Sequence, residues 1–134
     1  MKQALSIEQM KHLKDLGLDT SDASMHWQFL PTADSIINGT DEIEKEPCLF
    51  VSQPNMKHEY PAYTLQDILD KLPCFIGNEV LTMQKLADSY TCLYMEYYTR
   101  SMIKITESKE LIDAAYEMLC WCIENGYVKV AKEE

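Results

Sequence analysis

The chain has 134 residues, a net charge of −10, 46% hydrophobic residues and 25% charged ones. That is the length of one ordinary domain, able to bury roughly two-thirds of its unfolded surface without a disulfide or metal staple. Twenty-two acids against twelve bases argue against a nucleic-acid footprint, which needs clustered Lys and Arg, and against an anionic membrane surface.

Five cysteines occur, at positions 48, 74, 92, 120 and 122. The number is odd, and Met1 to Leu16 carries charges throughout with no apolar signal-like core. No run of about 18 apolar residues exists. The expectation is a soluble, cytoplasmic protein whose cysteines are free thiols.

In chain order, the first element is a helix from about Ile7 to Leu16. Ser6 and Gln9 match a capping box, and Leu5 and Met10 a hydrophobic staple. Gly17 fits a left-handed cap, which would let Leu18 fold back onto Leu13. After the polar turn Asp19 to Ser24, Met25, Trp27 and Phe29 alternate with His26 and Gln28, the period of a half-buried strand. Residues 31–47 read as an exposed acidic loop, with a hairpin turn conceivable at Asn38-Gly39. Cys48 to Val51 is a short strand. Thr64 and Asp67 cap a second helix whose Leu65, Ile68, Leu69 and Leu72 form one apolar face, and Pro73 stops it.

Glu79 to Ala87 and Tyr90 to Tyr98 read as two strands joined at Asp88-Ser89. The second is apolar on both faces, as a central strand would be. A final helix spans about Lys109 to Asn125, with Gly126 as its cap and residues 132–134 as a frayed tail. This order lacks the regular alternation of a parallel α/β fold. It predicts a single α+β domain, 1–134, in which a small antiparallel sheet of about four strands packs with three helices.

No stretch carries recognisable chemistry, so no catalytic residue, metal ligand or cofactor is assigned. Cys120 and Cys122 lie about 200° apart on a helix and cannot easily share a metal. His12, His26 and His58 are scattered. The four glycines are isolated, so no phosphate-cradling loop exists. The acidic runs do not match a calcium loop.

The aromatic residues are the remaining clue, because Tyr and Trp are enriched where proteins meet. Trp121 sits at the flank of the last helix's apolar arc. Together with Trp27, His26, Tyr94 and Tyr98 it makes up the candidate partner-binding set. The alternative is a small-ligand or enzyme site in a pocket lined by the Tyr90 to Tyr98 strand. A third reading is an acidic DNA mimic that inhibits a DNA-processing enzyme.

Three stretches, DTSDASM (Asp19 to Met25), YTLQDILDKLP (Tyr63 to Pro73) and LIDAAYEMLCWCIENGY (Leu111 to Tyr127), together resemble a group of small acidic proteins of Bacteroidetes genomes. Members of that group are often encoded in prophages or other mobile elements. The resemblance implies an accessory role in a bacterial cytosol and supplies no activity or site residue. Taken with the absence of catalytic motifs, it points to a non-enzymatic module that binds another protein.

Overall fold

Both capping boxes form as their sequences dictate. In a computed structural model describing residues 1–37, 39, 44–53 and 56–130, Ser6 Oγ accepts from the Gln9 amide while the Gln9 side chain accepts from the Ser6 amide, opening α1 (Ile7–Asp15). Thr64 and Asp67 do the same for α3 (Leu65–Lys71). Gly17 takes φ 102°. This left-handed step lets the Leu18 amide donate to the Leu13 carbonyl at 3.1 Å and returns Leu18 to the core.

The strands form two antiparallel sheets rather than one. The first has the order β2-β1-β3, from β1 (Met25–Pro31), β2 (Lys45–Val51) and the two-residue β3 (Pro61–Ala62). The second has the order β4-β5-β6-β7, from β4 (Phe75–Ile76), β5 (Glu79–Lys85), β6 (Tyr90–Met95) and β7 (Met102–Ser108). A short α2 (Ala33–Ile37) follows β1, and α4 (Leu111–Glu124) closes the chain order. The fold is α+β, with four helices and sheets of three and four strands among the described residues.

The stretch 31–47 therefore departs from the expected loop. Ala33–Ile37 is helical and Lys45 to Pro47 pair with Pro31 to Phe29. Acidic side chains such as Glu46 remain outside because β2 is exposed at that end. The possible turn at Asn38-Gly39, the run Asp41 to Ile43 and the tail 132–134 fall wholly or partly outside the described residues.

The core lies between α4 and one face of the second sheet, closed by α1 and α3. Cys92 and Tyr94 of β6 and Leu81 and Met83 of β5 point into it, against Ala115, Met118, Leu119 and Cys122 of α4. Thr106 of β7 clips the layers together, its hydroxyl lying 2.7 Å from the Ala114 carbonyl. Lys2 and Gln9 reach Asp113 at 2.7 and 2.9 Å and tie the N-terminal segment to α4. No helix among the described residues is long and apolar enough to cross a membrane.

Candidate functional site

The five aromatic and histidine residues singled out in the sequence do not form one surface. Tyr94 is fully buried, and its hydroxyl donates to the Pro73 carbonyl at 2.7 Å. It is a core residue and cannot meet a partner, because β6 is flanked by β5 and β7 and covered by α4. Burial also raises its phenol pKa well above the ordinary value. Trp121 is half-buried and stacks on Tyr127, centroids 5.4 Å apart, so the ring packs on the segment that follows its own helix. Trp27 is half-buried and its indole N–H donates to the Leu5 carbonyl at 3.0 Å. Only Tyr98, at 90% exposure in the β6–β7 turn, is open to solvent.

His26 is the most informative displacement. Expected on the polar face of its strand, it is 4% exposed. Its ring lies in a column, stacked on His58 at 3.7 Å and facing Phe50 at 6.0 Å. The pairing of β1 with β2 sets Phe50 opposite His26, and the return of the chain into β3 sets Pro61 opposite it on the other side. The segment before Pro61 is thereby laid over the His26 ring, and His58 comes with it.

Both nitrogens of His26 are engaged. Gln28 Nε2 lies 2.9 Å from Nε2, and Ser52 Oγ lies 3.1 Å from Nδ1. With the Gln28 amide as donor, Nδ1 carries the proton and donates to Ser52. Burial, and then the neighbouring His58, lower the His26 pKa, so the ring is held neutral. A neutral imidazole committed on both edges orients its neighbours and has no free position from which to relay a proton. His58 Nε2 is buried with no hydrogen-bond partner among the described residues.

Of the column, His58 lines a groove of about 870 Å³, between α1, the Leu18 to Ala23 turn and residues 52–53 and 56–61. That volume is within the usual range for small-molecule sites. It differs from the tyrosine-lined pocket of the alternative reading: no residue of β6 lines it, and Tyr60 is the tyrosine at its edge. Among the described residues, no three His, Cys, Asp or Glu side chains are grouped to hold a metal. Nothing in the sequence links position 26 to position 58 or to Ser52. The pairing of two sheet strands and the course of a connecting segment make the cluster.

The second sheet has a different character. Register puts Leu93 between Thr82 and Ile105, and Met95 between Val80 and Met102, on the face away from α4. A bulge at Tyr94/Met95 inserts Ile103 beside them. On β7, at the sheet edge, Met102, Ile103 and Ile105 are 55%, 38% and 48% exposed. Phe75 on the other edge strand, β4, is also exposed.

No protein family, curated protein or solved structure matches this chain.

Proposed function

We propose that the protein is a non-enzymatic interaction module that docks another protein along β7 and the neighbouring apolar face of the second sheet. One observation carries this reading: three large apolar side chains on a single seven-residue edge strand are left substantially in water. An edge strand offers a row of unpaired backbone donors and acceptors, and proteins ordinarily blunt such edges with charge or proline. Here the charges are Lys104 and Glu107 and a bulge lies at the start of the strand, but no proline interrupts it and its apolar side chains stay exposed. An extended partner segment can add to the edge by backbone pairing while its side chains meet Ile103 and Ile105.

The resemblance to mobile-element proteins of Bacteroidetes supports a bacterial, cytoplasmic setting for this role. The DNA-mimic reading has less behind it, since acids are spread over α1, α3 and α4 and not arrayed along one face.

The test is Ile105→Asp combined with a photo-reactive residue at position 103. In native cells the parent should give one reproducible crosslinked protein, and the folded Ile105→Asp variant should lose it. Retention of that adduct by a variant with an unchanged melting temperature would overturn the reading.

A further inference from the structure

We infer that the groove between α1 and the wall formed by residues 52–53 and 56–61 binds an organic phosphate: a small molecule with one phosphate group and an apolar body. The site is independent of the second sheet and of the docking surface proposed there.

Three lysines face the groove, Lys11 and Lys14 from α1 and Lys57 from the opposite wall. In a chain of net charge −10 with twelve bases, a quarter of the cationic side chains thus serve one concavity. Lys11 and Lys14 are three residues apart and lie on one helix face. None of the three makes an ion pair among the described residues, where the ion pairs are Lys2 with Asp113 and Lys71 with Asp22.

Three carboxylates share the lining with these lysines, and two of them have partners of their own. Asp19 accepts from the Ser21 amide at 3.0 Å. Asp22 is held by Lys71 and by the Tyr63 hydroxyl. Glu59 is the remaining carboxylate. The groove presents ammonium groups from two sides, unpaired among the described residues, beside the Glu59 and Asp19 carboxylates and the Ser52 hydroxyl.

The non-polar part of the lining is Ile7, Met10, Leu18, Ala23, Met56 and Pro61. An apolar floor with a few convergent polar groups is the usual make-up of a small-molecule site. Phosphate suits the polar part better than carboxylate. Its tetrahedral dianion presents acceptors in several directions, so ammonium groups from facing walls can reach it together, and lysine acts on it as a point charge. The histidine column joins the wall to β1: His26 contacts Ser52 and Gln28 through its two nitrogens and stacks on His58.

The experiment titrates the ¹⁵N-labelled full chain with phenyl phosphate, benzoate and inorganic phosphate, reading backbone amide shifts. Phenyl phosphate should give saturable shifts confined to residues of α1, the 18–23 turn and 52–61. Benzoate and inorganic phosphate should each bind at least about tenfold more weakly, because each lacks one of the two features recognised. The Lys11→Gln, Lys14→Gln, Lys57→Gln chain should keep its melting temperature and lose at least about tenfold in affinity for phenyl phosphate. Absence of saturable shifts, equal affinity for the three probes, or full affinity in the lysine variant would each overturn the assignment.

Discussion

Replacing Tyr94 with phenylalanine separates a core tyrosine from an interface tyrosine. The ring is fully buried and packs in the main cluster with Cys92, Met118 and Leu119. Phenylalanine keeps that packing and removes only the hydroxyl, which donates to the Pro73 carbonyl at 2.7 Å. The bond links β6 to the end of α3, where the chain turns into β4. Losing it, with the Pro73 carbonyl left short of a donor, costs about 1–2 kcal/mol. For 134 residues at roughly 2.1 cal/mol/K each, the unfolding entropy is about 0.28 kcal/mol/K, so the melting temperature should fall by about 4–7 °C. Thermal and urea unfolding followed by circular dichroism measure this directly. The crosslink from position 103 should persist, since Tyr94 points away from the β7 face. An unchanged melting temperature, or loss of the crosslink in a variant of native stability, would refute the placement of Tyr94 in the core.

Three further outcomes are expected. His26 has a lowered pKa in the folded chain, so below the ordinary imidazole value of 6.5 the unfolded chain binds the extra proton. Its contribution is complete above that pH and is lost as pH falls. Urea unfolding at pH 7.5 and 5.5 should show a steeper loss for the parent than for His26→Asn, and parallel losses would dismiss the effect. Burial pushes the thiols of Cys92, Cys120 and Cys122 up to about 12, 11 and 11, so at pH 8 the folded chain should react rapidly with iodoacetamide at exposed Cys74 and partly exposed Cys48. Fast modification of Cys122, read by peptide mass, would contradict the packing of α4. Ser6→Ala removes the cap that accepts from the Gln9 amide at 3.1 Å and should destabilise the protein by about 1 kcal/mol, with Ser6→Gly milder. Equal stability of Ser6→Ala and the parent would mean that the box contributes nothing.

Local chemistry was legible where a few adjacent residues settle the matter. The caps at Ser6 and Thr64, the left-handed Gly17, the strands at Met25 and Tyr90 and the amphipathic α4 all follow from spacing and side-chain type, and the structure has each within a residue or a few of its expected limits. The two-residue strands β3 and β4 carry no pattern of their own and exist because a neighbouring strand pairs with them. Strand β7 is hard to read from sequence because its alternation is short: Ile103 and Ile105 alternate with Lys104 and Thr106, but the bulge at its start breaks the period.

The candidate groove was less legible still. The alternation in β1 assigns His26 to the outer face, yet β2 on one side and the Lys57 to Tyr60 segment on the other close over it. A strand's polar face is polar only if nothing is laid upon it, and that is decided by connections between distant positions. The amino-acid sequence by itself determined the helix ends, the central strand β6, the apolar arc of α4 and the acidic charge, because each depends on residues within one or two turns of chain. The tertiary structure alone decided that the strands divide into two sheets, that Tyr94 turns inward, that His26 and His58 stack, and that three lysines face one groove. Those facts depend on which distant segments meet, and the free energy of that meeting is a property of the whole packed chain.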